Sequence, residues 1–355
     1  MALDLSAHLK ELCAAPGLSG YEDPVRQLLR AAWEPLVDDI SQDRLGSLVA
    51  VRRGSGPAPR RKLMLAAHMD AIGLIVTHVD GDFLRVTNIG GVDARVMPGQ
   101  LVTVHGRVDL PGVVALPPPH LLPKAHREGV APLTELLVDT GLPAGRLREQ
   151  VEIGALVSFA QPPRELQNGL LASKSLDNRA CLAALTVCLE ALQARTHTWD
   201  VLAVATVQEE VGFVGAATAA FSLAPAVAVA VDVTWGADAN TRDYGYRTFA
   251  LGNGPTLALG PNIHPGLHQA FKAAADRAEI PYAVEAIWSG NSGTDAFAMQ
   301  IAREGVPTMI VSVPLRNMHT PVEIVSLKDI TRTGRLLAEF AAGLRGDFLE
   351  TLTWE

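Results

Sequence analysis

Imidazole and carboxylate side chains stand at the ends of several predicted strands of this 355-residue chain. Four apolar runs end in or near such side chains, and these are His68, the pair Glu209 and Glu210, Asp232, and His319. A fifth place is the start of a predicted helix, where Asp177 stands. Strands of this composition are typical of parallel sheets, which bind ligands at the carboxyl ends of their strands. Because buried charges need compensation, the pattern predicts one or two divalent ions here, such as Zn²⁺, Co²⁺ or Mn²⁺.

Each of these residues also has an ordinary structural explanation. His68 and His319 could be hydrogen-bonded turn or loop residues, and Asp232 could simply start a turn. Asp177 could be a helix N-cap, and the two adjacent glutamates could lie in a solvated acidic turn. The coincidence of five such positions in one chain is what favours a metal site.

Two short motifs indicate different functional roles for these residues. In His68-Met69-Asp70, side chains two apart on an extended strand point the same way, so Asp70 could accept a hydrogen bond from His68 and orient it. The neighbouring side chains of Glu209 and Glu210 diverge, so one could bind metal while the other acts as a general base. Two ions about 3.5–4 Å apart, bridged by one carboxylate, would polarise a carbonyl group. The predicted chemistry is hydrolysis of an amide or an ester.

Composition narrows the class of protein. The formal net charge of -8 argues against binding to nucleic acid or to an anionic membrane, and the longest basic run is Arg60-Arg61-Lys62. The three cysteines are scattered and odd in number, which favours a reducing compartment. The N-terminal sequence lacks a signal-peptide pattern, and no apolar stretch has membrane-spanning length. We therefore expect a cytoplasmic protein.

Two different secondary-structure patterns occur along the chain. Helix and strand patterns alternate at both ends, with strands such as Val201–Val207 and helices such as Asp177–Ala194, and they predict an α/β domain. Between Gly73 and about Pro163, short β-type runs separated by Gly, Asp and Pro turns predict a small barrel. The expected organisation is a catalytic domain of residues 1–72 and 164–355, interrupted by a barrel domain of residues 73–163.

The motifs together resemble those of a known family. They occur in order along the chain as HMDAIG at His68–Gly73, GGVDARVMPGQLVTVHG at Gly90–Gly106, PPHLL at Pro118–Leu122, SLDNR at Ser175–Arg179, QEEVG at Gln208–Gly212, VDVT at Val231–Thr234, SGTDA at Ser292–Ala296 and MHTPVE at Met318–Glu323. This set resembles the tetrahedral aminopeptidases, which include glutamyl and leucyl aminopeptidases. The likeness covers nearly the whole chain. It departs at Ser289–Gly293, where the family usually has a more glycine-rich loop.

The resemblance implies a role for each candidate residue. His68 and Asp232 would hold one divalent ion, Glu210 and His319 would hold the other, and Asp177 would bridge the two. Glu209 would be the general base that activates a water molecule shared by the ions. Asp70 would orient His68.

The resemblance also implies a fold and an assembly. The expected fold is an α/β, three-layer catalytic domain of the zinc-exopeptidase (phosphorylase/hydrolase-like) type, with an inserted β-barrel used in dimer contacts. Six such dimers would form a hollow tetrahedral dodecamer that admits short peptides with a free N-terminus.

The expected function is metal-dependent removal of N-terminal residues from short peptides. Two alternatives are a dinuclear carboxypeptidase or deacylase, and a non-catalytic assembly protein that keeps the fold. The substrate pocket is expected to be formed by three segments, which are Thr234–Thr248, Asn253–Pro261 and Ala286–Thr294. Trp235 and Trp288 in these segments favour a neutral, leucine-like N-terminal residue.

Overall fold

The computed structural model describes residues 3–121, 124, 130–241, 247–287 and 292–354, which form a large sheet, a closed barrel and eight α-helices. The helices are α1 (Leu5–Ala14), α2 (Asp23–Trp33), α3 (Ala144–Gln150), α4 (Leu176–Leu192), α5 (Val214–Leu223), α6 (Pro265–Arg277), α7 (Asp295–Gln300) and α8 (Leu327–Gly343). The strands of the sheet are β1 (Asp39–Gln42), β2 (Leu48–Arg52), β3 (Lys62–His68), β10 (Arg164–Glu165), β11 (Leu170–Ser173), β12 (Asp200–Thr206), β13 (Val227–Trp235), β14 (Thr256–Leu259), β15 (Ala283–Ala286), β16 (Thr308–Arg316) and β17 (Glu323–Ser326). The strands of the barrel are β4 (Gly73–Asp80), β5 (Phe83–Ile89), β6 (Leu101–His105), β7 (Asp109–Ala115), β8 (Leu137–Asp139) and β9 (Leu156–Phe159).

The centre of the sheet is parallel and buried on both faces. The sheet has the order β1-β2-β12-β3-β13-β16-β17-β11-β10, with β14 paired to β16 and β15 paired to β14. Strand β3 runs parallel to both β12 and β13, and β13 runs parallel to β16. These strands are runs of Val, Ala, Leu and Met because helices cover both of their faces. Helix α4 packs against α8, and α5 packs against α7.

The register of the parallel strands brings their carboxyl ends together. His68 at the end of β3 lies opposite Thr206 at the end of β12. Ala66 in β3 lies opposite Ala230 in β13, so Asp232 is level with His68. Residues that follow β12 therefore emerge beside both side chains. This geometry follows from the topology, since parallel strands place all their carboxyl ends at the same edge.

The inserted segment closes into a barrel with its own core. Its strand order is β4-β5-β8-β7-β6-β9. Buried side chains on its inner face include Leu74, Val76, Leu84, Val104 and Val157. The predicted α/β fold with a small barrel is confirmed. Strands β8 and β9 were not predicted, because runs of only 3 and 4 residues carry little periodicity.

Strand β13 is longer than the sequence pattern indicates. The sequence pattern predicts a strand over Ala226–Val231 that ends at Asp232, and this prediction is wrong. The strand continues through Asp232 to Trp235 and is paired with β16 from Ala228 to Trp235. Asp232 and Thr234 are therefore strand residues that point to the same face of the sheet. The carboxylate interrupts the apolar pattern without interrupting the strand, because the backbone of Asp232 stays in register with Ser312 of β16.

The remaining differences are small. Helix α2 begins at Asp23 with Glu22 as its cap residue, whereas the Asp23-Pro24 pair indicated a start one residue later. Thr294 is the N-cap of α7, as predicted, and its hydroxyl accepts the Ala296 N–H. Among the described residues, no helix is long and apolar enough to cross a membrane.

Candidate metal centre

Three buried side chains form the first part of the site. His68 is the last residue of β3, Asp232 lies in β13, and Glu209 follows β12. The Nε2 atom of His68 lies 3.8 Å from a carboxylate oxygen of Glu209 and 3.8 Å from one of Asp232. One ligand atom from each of the three lies within 4.8 Å of the others, so the group could hold a metal ion.

Asp177 connects this group to a second one. Its Oδ1 atom lies 3.1 Å from His68 Nε2, and its Oδ2 atom lies 3.4 Å from His319 Nε2. His319 Nε2 in turn lies 3.7 Å from Oε2 of Glu210. Ligand atoms of His68, Asp177 and Glu210 also lie within 4.8 Å of one another. All six candidate side chains are thus in one cluster, with the Asp177 carboxylate between the two histidines.

Asp70 lies beneath the cluster and holds the segment that carries the two glutamates. Its carboxylate accepts the backbone N–H groups of Glu209 at 3.0 Å and Glu210 at 3.1 Å, and the Ser19 hydroxyl at 2.6 Å. Nδ1 of His68 is 3.5 Å from this carboxylate and 3.1 Å from the Asp70 carbonyl oxygen. The sequence indicated the contact with His68, but not the shorter bonds to the two backbone amides.

Glu323 is a functional candidate that the sequence analysis did not single out. It is buried at the start of β17, and its two carboxylate oxygens accept the backbone N–H groups of Asp177 and His319, both at 3.0 Å. Asp177 is therefore not the N-cap of α4, because its side chain faces the histidines and its own N–H is held by Glu323. The available signal was the position of Glu323 in the motif Met318–Glu323.

Asp295 was also missed, although it lies in the motif Ser292–Ala296. It is buried and accepts a hydrogen bond from the Thr206 hydroxyl at 2.6 Å. Burial raises the pKa of its carboxyl to about 6, and His68 opposes this shift.

The electrostatics of the cluster are those of a site that needs a cation. Burial, together with neighbouring carboxylates, raises the pKa of Glu209 to about 11. Burial, with Asp177 nearby, raises the pKa values of Glu210 and Asp232 to about 8. Four carboxylates this close together repel one another unless protons or metal ions lie between them.

The pKa values of the two histidines are raised as well, which favours their charged forms. The hydrogen bond to Asp177 raises the pKa of His319 to about 9. Burial by itself lowers the pKa of His68, but the neighbouring carboxylates, led by Glu209, raise it well above its ordinary value. Imidazole and carboxylate donors in this number suit borderline divalent ions, which would replace the protons. The residues therefore fit a metal centre.

A cavity of about 490 Å³ opens over the cluster. Besides the six side chains of the cluster, its lining includes Thr234, Trp235, Glu285 and Met318. A larger cavity of about 890 Å³ lies next to it and shares Trp235 and Met318. Of the expected pocket segments, residues 242–246 and 288–291 lie outside the described residues, and so does Trp288.

Comparison with known proteins identifies the family to which the chain belongs. A model of the M42 glutamyl aminopeptidase family matches residues 46–336. The chain belongs to this family. Membership makes it a hydrolase of the peptidase class, and it confirms both the family indicated by the motifs and the α/β fold with an inserted barrel. All six candidate ligands and Glu323 lie inside the matched range.

Individual M42 relatives are similar over nearly the whole chain. A lysyl aminopeptidase of Pyrococcus furiosus is 38% identical over 334 residues, which cover 92% of this chain and 94% of the relative. The structure of an aminopeptidase from the archaeon Desulfurococcus kamchatkensis is 33% identical, with a TM-score of 0.90, 98% of this chain covered and 97% of that one. The TET1 peptidase of Pyrococcus horikoshii, which can assemble into a tetrahedron or a large octahedral shell, is 28% identical, with a TM-score of 0.82 and coverages of 96% and 100%.

Proposed function

We propose that this protein is a metal-dependent aminopeptidase that removes N-terminal residues from short peptides with a free N-terminus. The observation that carries the proposal is the buried cluster of two imidazoles and four carboxylates in a protein of the M42 family. His68 and Asp232 would hold one divalent ion, and Glu210 and His319 would hold the other. Asp177 would bridge the ions, which we take to be Zn²⁺, Co²⁺ or Mn²⁺.

The ions would supply a Lewis acid for the scissile carbonyl and a water of lowered pKa. In the proposed mechanism the carboxylate of Glu209 takes a proton from that water, and the water oxygen attacks the carbonyl carbon. The bond between carbon and nitrogen then breaks, and Glu209 returns the proton to the leaving amine. Asp70 supports this step indirectly, because its carboxylate holds the backbone of Glu209.

Glu209 and Glu210 are both within reach of a histidine, so geometry alone allows either to be the base. The choice of Glu209 rests on the resemblance to the family. The test compares Glu209→Gln with Glu210→Gln. We expect Glu209→Gln to lose roughly 10²–10⁴-fold in kcat and to keep two ions per subunit, since it removes proton transfer. We expect Glu210→Gln to lose metal. Exchange of these two phenotypes would reverse the assignment.

The substrate class is tested with metal-stripped protein refilled with Co²⁺, Zn²⁺ or Mn²⁺. Metal-restored hydrolysis of free-amine aminoacyl-nitroanilides, without hydrolysis of their N-acylated forms, is the expected result. Preference for N-blocked substrates would instead indicate a deacylase or carboxypeptidase. Stoichiometric metal binding without hydrolysis of either kind would indicate a non-catalytic protein.

We also propose a homo-oligomer, with residues 73–163 as a separate domain that contributes subunit contacts. Two apolar residues of the barrel support this: Leu101 is 59% exposed and Val113 is 40% exposed, and they lie opposite each other in β6 and β7. The tetrahedral and octahedral shells formed by the Pyrococcus horikoshii peptidase also support the proposal of a homo-oligomer. We place the protein in the cytoplasm, because Cys13, Cys181 and Cys188 are buried and unpaired.

A further inference from the structure

Glu285 is an acidic residue in the lining of the site cavity that the proposed mechanism does not use. It lies in β15, and its carboxylate is held by hydroxyl groups from three other strands of the sheet, β13, β14 and β16. Oε1 accepts the Thr234 hydroxyl at 2.6 Å, and Oε2 accepts the Thr256 hydroxyl at 2.6 Å. The Ser312 hydroxyl provides a third hydrogen bond. An ionised carboxylate has about four acceptor positions, so one position remains available to a ligand.

The charge of Glu285 has no cation opposite it among the described residues. Neither lysine nor arginine occurs in the described lining of this cavity. Burial raises the pKa of Glu285, while the three hydroxyl groups lower it. A partly buried carboxylate of this kind is stabilised when a ligand brings a positive charge.

The position of Glu285 indicates which positively charged group of a bound peptide it would contact. Thr234, which donates to Glu285, lies two residues beyond Asp232 on β13, and both side chains point to the same face. Two residues of a strand span about 7 Å, so the hydroxyl that holds Glu285 lies about that far along β13 from Asp232. The α-amine of a bound peptide stays beside the scissile carbonyl at the ions. The four-carbon stem of a lysine side chain reaches farther.

We propose that Glu285 is the specificity-determining residue of this aminopeptidase and selects an N-terminal residue with a cationic side chain, lysine or arginine. The inference rests on the proposed function. It replaces the expectation of a leucine-like residue, which Trp235 and Trp288 suggested. The names of relatives do not decide the matter, since the family is named for glutamyl substrates and the Pyrococcus furiosus relative for lysyl ones. A glutamate side chain would place two carboxylates against each other in this cavity.

The test measures kcat/KM of the metal-loaded enzyme for lysyl-, arginyl-, norleucyl- and glutamyl-nitroanilides. Norleucine is the neutral control, because it has lysine's carbon chain without the ammonium group. We expect the wild-type enzyme to prefer lysyl over norleucyl substrate by about 10- to 100-fold, the usual strength of a hydrogen-bonded charge pair. In Glu285→Gln this lysyl-to-norleucyl ratio should fall to near one, and Glu285→Asp should restore part of it. Glu304→Gln, which removes an exposed charge outside the cavity, should keep the wild-type ratio.

Each other outcome has a distinct meaning. A wild-type enzyme that prefers norleucyl or glutamyl substrate overturns the inference, and this result needs no variant to fold. A Glu285→Gln variant that loses all substrates by the same factor shows a structural role and also overturns it. Absence of hydrolysis of any free-amine substrate, with metal bound, contradicts the proposed function itself.

Discussion

At the scale of single residues, the site depends on two carboxylates that we do not assign as ligands. Asp70 accepts the backbone amides of both glutamates, and Glu323 accepts those of Asp177 and His319. Four of the six side chains in the cluster thus have their backbones held by a buried acid. Such partners orient ligands and raise metal affinity although they do not touch the ion.

Glu323→Gln tests this arrangement. An amide offers one acceptor oxygen and turns an NH₂ group toward the second backbone N–H, so either Asp177 or His319 loses its support. We expect the affinity for Co²⁺ to fall roughly 10- to 100-fold, measured by competition with a chelator. Glu152→Gln is the matched control, because the Glu152 side chain is 75% exposed and lies in the barrel segment. Equal Co²⁺ affinity in wild type and Glu323→Gln would contradict the assigned role.

At the scale of elements, the positions of Asp177 and Glu323 depend on the close approach of α4 and α8. Asp177 lies in the first turn of α4, and Glu323 lies in β17, which leads directly into α8. The two helices touch at Gly334. A β-carbon placed there would lie 2.5 Å from the Ala184 carbonyl oxygen and 2.6 Å from the Val187 β-carbon. The absence of a side chain at this position lets the two helices pack closely enough.

Gly334→Ala should therefore destabilise the protein. Overpacking of this kind typically costs about 1–3 kcal/mol, which outweighs the gain of roughly 0.5–1 kcal/mol from replacing glycine in a helix. Gly145→Ala in α3 is the control, since its β-carbon would meet nothing within 4 Å and the helical gain should dominate. Urea midpoints of the metal-loaded proteins provide the measurement. Equal stabilisation by both substitutions would show that the α4–α8 contact is not tight.

At the scale of the whole molecule, the buried carboxyls of the candidate metal centre make stability depend on pH. Burial raises the pKa values of Glu210 and Asp232 to about 8, compared with 4.5 and 3.8 for the ordinary side chains. Between about pH 4.5 and 8 the metal-free folded state therefore binds more protons than the unfolded state. Its free energy of unfolding must fall as the pH rises through this window. Bound ions would take the place of the protons and remove much of this dependence.

We expect the difference in Tm between metal-loaded and metal-stripped protein to widen from pH 5.5 to pH 8. The metal-loaded state is also stabilised by mass action, because the ions bind the folded chain more tightly than the unfolded one. Scanning calorimetry at constant ionic strength measures both forms, and stripped protein that has been refilled serves as the control. A difference that stays constant or narrows with rising pH would show that these carboxyls do not take up protons in the metal-free fold.

The sequence by itself determined the type of fold and the members of the cluster. Apolar strands that end in His68, Glu209, Glu210 and His319 are a local pattern, because a buried strand and the charged residue after it are neighbours in the chain. The short β-type runs separated by Gly, Asp and Pro turns after Gly73 are a local pattern too, so the barrel was predictable. The motifs around these residues were specific enough to indicate the family that the comparison confirmed.

Only the tertiary structure decided how the cluster is supported and what its cavity could accept. The Asp177 amide meets the Glu323 carboxylate across 146 residues of sequence, and the Thr234 hydroxyl meets Glu285 across 51. The continuation of β13 beyond Asp232 depends on pairing with β16, whose Ser312 lies opposite Asp232 and 80 residues farther along the chain. These partners share no local pattern, because it is the order of strands in the sheet that brings them together. The role proposed for Glu285 depends on the hydroxyl groups that bind it and on the cavity that it lines, and the sequence shows neither.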